Sequence, residues 1–350
     1  MSNTVLVFED IGDNYDKLKE NLEEKLEESD YVFDIVRFEG DADDKGPRDL
    51  VRDKMDQTEP ALVILDWDLT GYDSNVTREH VKVTCENKGI PLCIYQGNMG
   101  ENSDVEQFQE DEEDSYIKID STQRYEEIAE KSSVIAEGFV RIMKEMDEDQ
   151  EGEDLLSAVS DVLEAPKNSI SKLDQYSWGQ SKAISLAKKK DRREKKVFST
   201  FLGYWVYNQL LAFPGVLLGV ESAASYLEVD KDQFKDPDYQ EPFEEAAYTG
   251  PFAELRDFWW KSGLDEIRAD YTNSDDEKLV RGPDLFDRLG LKIDPVKCKE
   301  GHEGAGYYCI ISDKPVCKEH SVRPEGWIPM GASRARISED EFEKLRPWMS

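Results

Sequence analysis

Pro60-Ala61-Leu62-Val63-Ile64-Leu65-Asp66-Trp67-Asp68-Leu69-Thr70-Gly71 is the stretch on which the fold turns. An apolar run this short, bounded by a proline and a glycine, predicts a strand buried on both faces, as in a parallel sheet. Asp66 closes the run, at the end where open α/β sheets gather their reactive groups. An earlier run, Val5-Leu6-Val7-Phe8, closes in the same way on Glu9 and Asp10. Three acids at the ends of neighbouring parallel strands would repel one another unless a cation sat among them. Mg²⁺, which prefers hard oxygen ligands, suits that place. Asp66 could then attack a phosphoryl group as an aspartyl nucleophile.

Two later runs extend the pattern. Pro91-Leu92-Cys93-Ile94-Tyr95 ends at Gln96-Gly97, thirty residues past Asp66, and Ser115-Tyr116-Ile117 ends at Lys118, fifty-two past it. Over roughly residues 1–145 this arrangement resembles the receiver domain of two-component response regulators. The resemblance implies a doubly wound, five-stranded parallel sheet of the receiver or flavodoxin-like kind. It also implies roles residue by residue. Asp66 would be the phosphoacceptor, Lys118 the cation that binds the phosphoryl group, and Glu9, Asp10 and Asp66 the Mg²⁺ ligands, joined by the backbone carbonyl of Asp68. Gln96 stands where receivers carry a small switch hydroxyl, and its larger amide cannot relay the same hydrogen-bond shift. Ile119 follows Lys118 where a proline is usual, and the Asp10-to-Asp66 interval is longer than usual, with the excess in 17–28 and 40–45. Two expectations therefore stand side by side: phosphorylation of Asp66 by a partner histidine kinase, or a pseudo-receiver that docks proteins without phosphate.

The intervening segments read as helices and loops. Leu18, Leu22 and Leu26 recur at spacing four within Asp16–Glu28, a charged helix with one apolar stripe. Tyr31–Phe38 should be the second strand and Pro47–Met55 the second helix, with its proline in the first turn. Thr77–Asn87 should be the third helix. The acid-rich 101–114 reads as a solvated loop with a short helix, and Tyr125–Met146 as the last helix, with Ile128, Ile135, Phe139 and Ile142 towards the sheet.

Charge separates the two halves of the 350-residue chain. Residues 1–150 hold 41 acids against 16 bases and residues 151–350 hold 37 against 28, within a net charge of −34. The excess disfavours nucleic-acid binding by the first half. The boundaries read from the sequence are 1–147 for the receiver-like domain and 148–196 for an acidic linker with a basic helical connector. An aromatic-rich helical output region at 197–292 and a small Cys/His subdomain with a tail at 293–350 complete them. Lys182–Lys196 has eight bases and two acids, which fits a solvated helix, a helix docked on the acidic receiver, or a contact with nucleic-acid phosphates. The uncharged stretch Val197–Val220 could suggest a membrane span, but Asn208, Gln209, Pro214 and three glycines interrupt it. A buried helix, a Pro-Gly turn and a second helix fit it better, so no membrane is expected. Five cysteines without a secreted-type framework and a start that runs straight into a strand suggest the cytoplasm.

Near the C-terminus, Cys298-x3-His302 and Cys317-x2-His320 each can present two ligands to a tetrahedral ion, and together they make a full zinc set. The phrasing resembles a B-box or treble-clef finger. Ser312 stands where Cys309 would want a partner, leaving Cys309 either a substitute ligand or a buried thiol. Four protein ligands would close the site, making the Zn²⁺ structural; the alternative is a hairpin of Tyr307–Ile311 and Val316–Cys317 whose turn sits among unligated thiols. The expected function is intracellular signalling: a receiver-like domain controlling a C-terminal output region. The alternatives are a nucleic-acid-binding or enzymatic effector within 197–350, for which no catalytic constellation is visible, and a scaffold subunit of a defence complex.

Overall fold

The computed structural model describes residues 3–8, 20, 31–36, 46–66, 75–95, 116–119, 125–147, 155–173, 192–274, 278–298, 300–302 and 305–346. The chain divides into two units, one of 1–152 with 181–205 and one of 153–180 with 206–350.

The first unit is built on five parallel strands, β1 (Thr4–Phe8), β2 (Val32–Val36), β3 (Leu62–Asp66), β4 (Leu92–Tyr95) and β5 (Ile117–Ile119). Their order is β2-β1-β3-β4-β5, that of flavodoxin-like doubly wound folds. The central strands are buried along both faces, which is why their sequences run apolar rather than alternating. On one face Leu6, Phe8, Val63, Leu65, Leu92 and Ile94 share a core with α1 (Pro47–Thr58) and α2 (Arg78–Lys88) through Val51, Met55, Val81 and Cys85. On the other face lies α3 (Tyr125–Asp147), whose Ile128, Ile135, Phe139 and Ile142 are all buried. Proline opens α1 and Thr77 caps α2 by a reciprocal box with His80.

A further helix joins this unit from far along the chain. It is α6 (Arg192–Trp205), counting α4 (Leu155–Val162) and α5 (Ile170–Leu173) before it. It is held at the amino edge of β4, where the Leu92 amide donates to the Tyr204 hydroxyl at 2.7 Å and Thr200 Oγ1 donates to the Gly89 carbonyl at 2.8 Å. Phe198, Leu202 and Tyr204 are buried, and Tyr204 meets Phe139 edge to face at 5.4 Å. Two glycines permit the approach. Gly89 has φ +61°, and a Cβ there would stand 2.5 Å from the Val197 nitrogen; a Cβ on Gly203 would stand 2.1 Å from Phe139 Cε1.

The second unit is mixed. A π-helical turn, Val206–Leu211, leads through Pro214-Gly215 to β6 (Leu217–Gly219), which pairs antiparallel with β7 (Phe258–Trp260). The sequence suggests only helices here; apolar residues too few for helical periodicity form the two strands. Between them lie α7 (Val220–Leu227), α8 (Lys231–Phe234) and α9 (Pro237–Gln240), and after them α10 (Lys261–Asp270) and α11 (Gly282–Arg288). The aromatics form a core, Phe234 lying 5.5 Å from Trp259, 6.0 Å from Phe243 and 6.4 Å from Phe286 between ring centres. Near the C-terminus, β8 (Tyr307–Cys309), β9 (Lys314–Val316), β10 (Ser321–Val322) and β11 (Ala335–Ser338) make a four-stranded sheet, followed by α12 (Glu339–Leu345). The expected hairpin is present in it, with Tyr307 opposite Val316. Among the described residues, no helix is long and apolar enough to cross a membrane.

Candidate functional site

The four residues of the Cys/His motif converge. Their ligand atoms all lie within 4.8 Å of one another. Local backbone turns set each pair. The Cys298 amide donates to the His302 carbonyl at 3.0 Å and the Gly301 amide to the Cys298 carbonyl at 2.8 Å, with Gly301 at φ +79°. The second pair follows β9, where Ser321 Oγ reaches back to the Cys317 carbonyl at 2.5 Å and Ser321 then opens β10. Cys317 Sγ stands 3.2 Å from His320 Nδ1 and 4.0 Å from His302 Nδ1, and the two rings lie 4.6 Å apart at 45°.

These separations suit the donor set of a tetrahedral ion, in which sulfur and nitrogen ligands stand about 2.0–2.3 Å from the metal. Both cysteines are buried beside Ala305 and Val296, whereas His320 is half-buried and His302 exposed. Burial pushes the Cys317 thiol above its ordinary value. A cation at the centre would reverse that balance by favouring the thiolate. The group can therefore hold a metal ion.

Cys309 stands outside the group. Its sulfur accepts the Ser338 amide at 3.3 Å. Burial alone would push its thiol up, but the Ser312 hydroxyl and the amides of Ser338, Ser312 and Ile311 outweigh it and hold the thiol below the usual value. Ser312 thus faces Cys309 as a hydrogen-bond donor.

At the sheet, strand order reverses between β1 and β3, the switch point at which open α/β sheets bind ligands outside their carboxyl ends. Asp66 is the last residue of β3, half-buried and in register with Tyr95. Lys118 lies in β5, exposed and in register with Ile94. The pleat therefore directs Asp66 towards the face covered by α3 and Lys118 towards the other. Glu9, Asp10, Asp68 and Gln96 lie outside the described residues, as does most of the basic run 182–196.

No family model matches the chain, and no curated protein matches it.

Proposed function

We propose that the chain is a signal-transduction protein whose parallel-sheet unit works as a receiver, phosphorylated on Asp66 by a partner kinase, and whose second unit carries the output. The supporting observation is the position of Asp66 at the carboxyl end of β3, beside the point where the strand order reverses. In this reading the Asp66 carboxylate attacks the phosphorus of a phosphohistidine, the P–N bond breaks, and an acyl phosphate forms. Lys118 then pairs with the new phosphoryl oxygens. Mg²⁺ held by Glu9, Asp10 and Asp66 would neutralise the local excess of negative charge. The phosphoryl group adds about −1.5 to −2 charges at pH 7, which the surrounding loops must accommodate.

In the second unit, Cys298, His302, Cys317 and His320 hold one structural Zn²⁺ that ties the turn before β8 to the turn after β9. Its chemistry there is cross-linking, because four protein ligands leave no position for substrate.

A pseudo-receiver that docks partners without phosphate is the second reading, favoured by Gln96 in place of the switch hydroxyl and by the docking of α6 through buried apolar and hydroxyl contacts. Incubation with Mg²⁺ and acetyl phosphate separates the two. The receiver gains one acid-labile phosphate on Asp66; the pseudo-receiver gains none.

A further inference from the structure

In a chain of net charge −34, one place in the second unit concentrates positive charge. Tyr226 of α7 is surrounded by Lys261 and Arg268 of α10 and by Arg334, just before β11, at 4.8, 5.3 and 4.5 Å from its ring centre. A ring has two faces, so three cations at this range crowd one another. Arg334 also stands 5.3 Å from the ring of Tyr307, and Arg336 stands 5.2 Å from the same ring on β8. The side chains of Lys261 and Arg268 are only 16% and 13% exposed, so water screens their repulsion poorly.

Among the described residues, one carboxylate comes within ion-pair distance of any of these four cations, and it answers only Lys261 and Arg268. Asp265 accepts from the Tyr226 hydroxyl and from Lys261 Nζ at 2.6 Å, and lies 4.0 Å from Arg268. Arg334 and Arg336 have no carboxylate within ion-pair distance among the described residues; Arg336 bonds Ser321, and Arg334 reaches the Gly306 carbonyl at 3.4 Å. Arg334 Nε is buried with no hydrogen-bond partner. A buried, unpaired guanidinium donor beside uncompensated positive charge is a costly arrangement that an anion would relieve.

We propose that the cations gathered around Tyr226 and Tyr307 bind a small ligand carrying two or more phosphate groups. The arginine forks match phosphate oxygens two at a time, and two arginines with no carboxylate in ion-pair range beside two further cations suit a di- or triphosphate. Cations already occupy the Tyr226 ring, which leaves it no face for stacking a nucleobase. The overall negative charge would repel a long nucleic acid far more than a short anion. This site does not depend on the receiver reading.

The test is calorimetric titration of the full chain with pyrophosphate and with ATP, beside a mixed-sequence single-stranded oligonucleotide, with zinc content measured before and after. Saturable binding of pyrophosphate or ATP at one site, weakened about tenfold or more in the Arg334→Gln/Arg336→Gln double variant, is the expected result. Should that variant fail to fold, Arg336→Lys keeps the charge but loses the fork, and a several-fold weakening is expected. No saturable binding to the wild type at millimolar ligand overturns the proposal. So does equal binding by a folded variant, or a heat signal matched by loss of zinc. Tighter binding of the oligonucleotide than of ATP would replace it with a nucleic-acid site.

Discussion

At the scale of single residues, Cys317 carries the most specific prediction. Its sulfur lies 3.2 and 4.0 Å from the two imidazoles, so Cys317→Ser removes a member of the set that faces both. We expect the purified protein to hold about one zinc per chain and the variant close to none, by elemental analysis. A structural zinc contributes on the order of 10 kcal/mol to folding of such a subdomain, so the variant should also lose thermal stability. A variant as stable as the parent, or a parent without zinc, contradicts this. Tyr226 gives a prediction in pH. Burial, and then its hydrogen bond to Asp265, push its phenol up to about 12 from an ordinary value of 10. The folded state thus holds this proton more tightly than the unfolded chain does. The resulting stability is fully present below pH 10 and is lost as pH rises towards 12, with an upper limit of roughly 2–3 kcal/mol before solvent screening. Urea unfolding at pH 9 and at pH 12 should show that loss in the wild type, and Tyr226→Phe should remove its share of it. An unchanged pH dependence in the variant would assign the loss to other groups.

At the scale of elements, α6 decides how the sheet unit is completed. A methyl group on Gly203 would run into Phe139, and the ring cannot retreat without leaving Tyr204. Gly203→Ala should therefore cost about 1–3 kcal/mol by overpacking, read from denaturant midpoints at unchanged slope. A neutral effect would mean that α6 does not sit against α3 in solution. The elements were unevenly legible in the sequence. The strands of the parallel sheet announce themselves as short apolar runs ending at Asp66, Tyr95 and Ile117. The candidate metal ligands were legible because each pair falls within one turn of chain. The docking of α6 was only partly legible: the basic run left a helix docked on the receiver as one reading among three, whereas the hydrogen bonds that hold the helix are made by Thr200 and Tyr204 with Gly89 and Leu92, more than a hundred residues away. Strands of two to four residues, such as β6, β10 and β11, are too short for periodicity to reveal. The cluster around Tyr226 and Tyr307 was not legible at all, since its cations sit at 261, 268, 334 and 336 and only folding gathers them.

At the scale of the whole molecule, net charge dominates. A charge of −34 on 350 residues destabilises the compact state through self-repulsion, and added salt screens it over a Debye length that shrinks from about 30 Å at 0.01 M to about 10 Å at 0.1 M. The melting temperature should rise with sodium chloride across that range, in contrast to a protein held by surface ion pairs; a flat or falling curve would show that local pairing already neutralises the excess. In the receiver reading proposed above, the same acidity would favour a divalent cation beside Asp66. The most direct measurement is the intact mass of the protein, and of Asp66→Asn, after incubation with Mg²⁺ and acetyl phosphate. One acid-labile phosphate on the wild type and none on the variant is the outcome expected of a receiver. No gain on the wild type, or an equal gain on both, would contradict it.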